Sequence, residues 1–68
     1  MDRNLLRFIR QSKGLTQPQF AQLLGVSHVY VSYLESGSKP MTENIRNKVR
    51  GLVGDEYLDR CRHFLSAK

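Results

Sequence analysis

Sixty-eight residues, 40% of them hydrophobic and 25% charged, suit one small folded domain over 1–68 with one modest core; no second, catalytic domain is expected within them, and the composition is unlike that of a disordered tail. Eleven Lys and Arg against six Asp and Glu give +5 at pH 7, a balance that favours an anionic partner through long-range attraction. The excess lies outside the C-terminal segment, since residues 1–54 hold eight basic and three acidic residues and residues 55–68 hold three of each.

The first apolar group, Leu5, Leu6, Phe8 and Ile9, occupies one arc at helical spacing, with Arg3, Arg7 and Arg10 opposite. A helix over about Asp2 to Lys13 follows, stopped by Gly14. Thr16-Gln17-Pro18-Gln19 is a helix start: Thr16 caps, Gln19 completes a capping box and Pro18 falls in the first turn. Phe20, Ala21, Leu23 and Leu24 give this second helix its buried side, and Gly25 ends it. Val26 is then an apolar anchor and Ser27 the N-cap of a third helix from His28 to about Ser36, ended by Gly37. Val31, Leu34 and part of Glu35 face one way in that helix. His28, Val29, Ser32, Tyr33 and Ser36 form a polar and aromatic stripe on the other. Tyr30 falls at the edge between them, suited to core packing or to a phosphate contact.

Residues Ser38 to Met41 read as a loop, and Thr42 caps a fourth helix whose Ile45, Val49, Leu52 and Val53 make an apolar stripe flanked by Arg46 and Arg50. Gly54 breaks the chain, Asp55 caps a fifth helix, and Tyr57, Leu58, Cys61, Phe64 and Leu65 share about a third of its circumference. The expected fold class is all-α, a bundle of five short helices. Cys61 is the only cysteine, and with His63 at i+2 it points to a different helix face, so neither a disulfide within the chain nor a metal site is expected. No run of about 18 apolar residues is present. A cytoplasmic protein without membrane contact, cofactor or small-molecule ligand is the expectation. No nucleophile and base arrangement is recognisable by spacing, so no enzymatic activity is expected either.

Two short helices joined by a three-residue turn containing glycine have the geometry of a helix-turn-helix, spanning about 16–36. The pattern Thr16-Gln17-x-x-Phe20-Ala21-x-x-Leu24-Gly25-Val26-Ser27-x-x-Tyr30-Val31-Ser32-x-x-Glu35-x-Gly37 resembles the phage repressor and Cro type of helix-turn-helix. The resemblance covers residues 5–53 in layout and is dense over 15–37. It implies a protein that binds double-stranded DNA through the major groove. Carried over position by position, it implies base contacts from His28, Val29, Ser32 and Tyr33, with Gln17 in support. The chemistry allows this: His28 and Ser32 can donate or accept at a base edge, and Val29 can pack on a thymine methyl. Gln22 is the only Lys, Arg, Asn or Gln between Ala21 and Lys39, so the third helix suggests no bidentate base contact and the target sequence cannot be read.

Ser36, Ser38, Lys39, Thr42, Asn44 and Arg46 are suited to phosphate contacts, Lys39 above all because relatives hold the following loop against the backbone. Arg7, Arg10 and Lys13 either add to these or form a solvated helix face. The resemblance also implies an ion pair between Arg10 and Glu35, joining the first helix to the third. One such domain covers a half-site, so a homodimer on a palindromic operator is implied, joined by the region of the fourth and fifth helices or formed only on DNA. The implied role is a phage or mobile-element repressor or a controller of a small bacterial operon. Two alternatives stay open: a protein-interaction module of the antitoxin or anti-repressor kind, and the DNA-binding fragment of a longer regulator.

Overall fold

Short polar side chains at the helix starts satisfy backbone N–H groups that have no carbonyl of their own helix to bond. In the computed structural model, which describes residues 1–66, Asp2 accepts from the N–H of Leu5 (2.8 Å), Thr16 from Gln19 (3.2 Å), Ser27 from Tyr30 (3.1 Å) and Thr42 from Ile45 (3.2 Å). Gln19 returns the bond at Thr16, its Oε1 accepting from the Thr16 N–H at 2.9 Å. These caps begin α1 (Arg3–Ser12), α2 (Gln17–Leu24), α3 (His28–Ser36) and α4 (Glu43–Val53). The expected bounds of the first helix contract by a residue at each end, because Asp2 and Lys13 serve as its caps. Ala67 and Lys68, included in the expected 1–68 domain, lie outside the described residues.

The start of α5 (Asp55–Ser66) departs from expectation. Gly54 alone separates α4 from α5: its N–H donates to Arg50 O (2.8 Å), and its own carbonyl accepts from Leu58 N (3.2 Å). Asp55 is therefore the first helical residue rather than the cap. Its carboxylate still lies at the positive end of the helix dipole, and it pairs with Arg50 at 3.1 Å on the surface.

Among the described residues, five helices enclose one core. α2 lies against α3 and α4, α1 against α3 and α5, and α4 against α5. Leu6, Ile9, Phe20, Val31 and Val49 are wholly buried, with Leu34 and Ile45 nearly so, and Leu58 and the free Cys61 of α5 close the far side. Leu23 and Leu52, expected to face inward, are 55% and 39% exposed. Among the described residues, no neighbour covers Leu23 on α2 or Leu52 on α4 to the depth that Phe20 and Val49 enjoy. Phe64 is also 55% exposed, yet its ring stacks on Phe8 with centroids 5.2 Å apart, joining α1 to α5. Among the described residues no helix is long and apolar enough to cross a membrane.

Candidate nucleic-acid interface

The turn between α2 and α3 consists of Gly25, Val26 and Ser27. Gly25 takes φ 73° and ψ 31°, the left-handed conformation open to glycine at little cost, and its N–H donates to Gln22 O while the N–H of Val26 donates to Ala21 O. This closes the last turn of α2 and re-aims the chain within three residues. Val26 then packs against the core, and Ala21, 2% exposed, leaves space for α3 to approach. Lys48 of α4 adds a tie for which the sequence carries no signal: Nζ donates to Leu24 O at 3.3 Å, capping α2 from outside the motif.

Packed this way, α3 buries Val31, Leu34 and Glu35 and turns the opposite stripe outward. His28 and Ser36 are exposed, Val29 and Tyr33 are 45% and 44% exposed one turn apart, and Ser32 and Tyr30 are half-buried. The four side chains carried over as base readers thus share one ridge. Gln17 stands apart from them at the start of α2, where its Nε2 donates to Glu35 Oε1 at 3.2 Å. One amide hydrogen remains for a contact outside the protein.

Beyond α3 the chain folds back on itself. Gly37, at φ 85°, ends the helix; Lys39 N donates to Tyr33 O (3.2 Å), Ser36 Oγ donates to the same carbonyl, and the Ser36 and Ser38 hydroxyls lie 2.9 Å apart. Lys39 is exposed, Thr42 and Asn44 are exposed at the start of α4, and Arg46 is half-buried on its next turn. Neither Lys39 nor Arg46 has an ion-pair partner among the described residues. Six candidates for phosphate contact therefore run from the end of α3 into α4.

Arg10 makes the ion pair with Glu35 that the resemblance implies, and Arg7 and Arg3 dock on the end of α3. Arg10, with a side chain 14% exposed, donates from Nε to Glu35 Oε2 (2.7 Å) and from Nη2 to Glu35 Oε1 (3.0 Å), and its Nη1 reaches Leu15 O at 2.9 Å. Arg7 donates to the Glu35 carbonyl at 3.1 Å and Arg3 to the Ser36 carbonyl at 2.6 Å. Glu35, 2% exposed, is thus a hub linking α1, α2 and α3. Lys13 points elsewhere, its ammonium 4.2 Å from the centre of the Tyr57 ring. No sequence period could show this arginine set closing over α3, because the contacts span 25 to 33 positions.

Two short helices, a three-residue turn and an outward ridge on the second helix define a helix-turn-helix of the kind that inserts its second helix into a DNA groove. A family model described as Helix-turn-helix matches residues 6–47, and the chain belongs to this family, the repressor and Cro type of DNA-binding transcription regulators. Comparison with curated proteins and with solved structures gives no significant match. Among the described residues, no group of three or more His, Cys, Asp or Glu could hold a metal ion. A shallow cleft of about 610 Å³ lies between the start of α1 and the end of α5 and is lined by no residue of α3.

Proposed function

We propose that this chain is a sequence-specific repressor or small operon controller, of phage or mobile-element type, that binds a palindromic operator as a homodimer. The observation that carries the reading is the outward ridge of α3: His28, Val29 and Tyr33 are exposed and Ser32 half-buried on a helix whose opposite face is locked into the core. In the major groove, the His28 ring and Ser32 hydroxyl address donor and acceptor edges, and Val29 and the Tyr33 ring address thymine methyl groups. Gln17 supports from α2. Ser36, Ser38, Lys39, Thr42, Asn44 and Arg46 hold the backbone and fix the register of the ridge without reading sequence. A single α3 spans one half-site, so two copies related by a two-fold axis read a palindrome about one DNA turn between half-site centres, joined through the α4 and α5 region.

Selection from a pool of random duplexes tests this reading. A two-fold symmetric consensus is expected, and Ser32→Ala or Tyr33→Ala should weaken binding by about 1–3 kcal/mol at particular base pairs. Absence of enrichment, or enrichment indifferent to both substitutions, would instead favour a protein-binding role for the domain.

A further inference from the structure

We infer that Arg3 is an anchor for the DNA backbone: its guanidinium, docked on the last carbonyl of α3, receives a phosphodiester oxygen beside the loop from Ser36 to Lys39. This rests on the reading of α3 proposed above. The end of α3 is electrostatically the wrong sign for such a contact when taken alone. Its unpaired carbonyls carry the negative end of the helix dipole, and the Glu35 carboxylate adds a full charge. Phosphates should be repelled there.

The three arginines of α1 reverse that sign. Arg10 is consumed by the carboxylate, and Arg7 is turned toward the same residue, donating to its carbonyl and lying 3.6 Å from its carboxylate. Arg3 differs. It is exposed, makes its one hydrogen bond among the described residues from Nη1 to the Ser36 carbonyl, and keeps the rest of its five N–H donors for an outside partner. Its place depends on Gly37, since a Cβ built there would run into Nη1 of Arg3. The Ser36 and Ser38 hydroxyls stand alongside, with Lys39 next in the chain. A guanidinium already held at one point loses less freedom when it grips a phosphate than a lysine swinging from its stem.

The test compares the full chain with Arg3→Gln and Arg3→Lys on a mixed-sequence duplex, recording affinity against salt together with thermal unfolding of each protein. Arg3→Gln should flatten the slope of log affinity against log salt by about 0.9, so that the affinity lost between about 50 and about 200 mM salt shrinks by about threefold to fourfold. Arg3→Lys should keep the slope, and the consensus recovered from random duplexes should not change. A slope in a folded Arg3→Gln protein equal to that of the unsubstituted chain overturns the anchor while leaving the α3 reading standing. Failure of the unsubstituted chain to bind duplex at all sinks both. Should Arg3→Gln not fold, modification of arginine by phenylglyoxal in the unsubstituted chain decides: duplex is expected to shield Arg3, and equal reactivity with and without duplex overturns the proposal.

Discussion

Arg10 of α1 and Glu35 of α3 lie 25 positions apart and meet through two parallel hydrogen bonds, Nε to Oε2 at 2.7 Å and Nη2 to Oε1 at 3.0 Å. The carboxylate is 2% exposed, so water cannot replace the guanidinium if it is removed. Such a fork aligns two planes as well as two charges, fixing the roll of α3 about its own axis and so the direction of its outer ridge.

Removing one partner alone should therefore cost more than the pair contributes. Glu35→Ala leaves the Arg10 guanidinium stranded, with Gln17 and Arg7 each losing a contact, and should lower unfolding free energy by about 3–5 kcal/mol. That is a large share of the ~5–15 kcal/mol typical of a whole domain. Urea unfolding of Glu35→Ala, Arg10→Met and the double variant measures it. The double variant should recover part of the loss, and single variants as stable as the parent would show that the fork contributes nothing.

Gly25 and Gly37 both hold left-handed backbone, yet they should not respond alike to alanine. At Gly25 an added Cβ meets nothing within 4 Å, so only the backbone strain of about 1–2 kcal/mol applies. At Gly37 the same strain applies, and the methyl group also displaces the flexible end of Arg3 from the Ser36 carbonyl, a further ~0.5–1.5 kcal/mol. Thermal unfolding should rank Gly37→Ala below Gly25→Ala. Adding Arg3→Ala to both should erase the difference.

Tyr57 offers a contrast far from the reading ridge. Its hydroxyl bonds the Ser12 hydroxyl, while Lys13 lies over its ring at 4.2 Å and Arg60 at 5.9 Å, pinning the end of α1 to α5. Tyr57→Phe keeps the ring and gives up the hydroxyl contact, so a loss of about 0.5–1 kcal/mol is expected. Tyr57→Leu also forfeits the cation and ring contacts, about 0.5–1 kcal/mol more. Both should bind duplex DNA as the parent does at temperatures where they are folded. A binding loss larger than the unfolded fraction explains would place Tyr57 in the interface.

The sequence made most of this architecture legible because its signals are local. Thr16, Ser27 and Thr42 stand where a cap must stand, Gly25 and Gly37 where a helix must turn left-handed, and Phe20, Val31 and Val49 recur at helical spacing. What stayed hidden depends on distance. Leu23 and Leu52 fall near the right arcs, but periodicity tells which way a side chain points and not whether a neighbour reaches far enough to cover it. Asp55 has the right chemistry for a cap and lost the position to Gly54, whose N–H closes α4 on Arg50 O while its carbonyl opens α5 by accepting from Leu58 N. The sequence places Arg3 opposite the apolar arc and leaves Arg7 open between a phosphate contact and a solvated face, and only the packing of α1 on α3 shows both on its last carbonyls. The Arg10–Glu35 pair was reached through family resemblance, since spacing set Arg10 at the exposed edge.

Ser32 and Lys39 should separate the two kinds of DNA contact. Ser32 is half-buried on the α3 ridge, where its hydroxyl can meet one base edge, whereas Lys39 is exposed on the loop and can meet only what passes outside it. Ser32→Ala should cost about 1–3 kcal/mol against the preferred duplex and little against duplexes already altered at the base pair it reads, relaxing specificity there. Lys39→Ala should weaken every duplex by a similar factor and reduce the salt slope by about 1, with the consensus preserved. Neither change removes a core contact, so both proteins should melt near the parent temperature. Titrations of both variants against the selected consensus and its single-base substitutions, at two salt concentrations, measure all of this. Uniform weakening by Ser32→Ala would move that hydroxyl from base reading to backbone positioning, and a specificity change from Lys39→Ala would bring the loop into the groove.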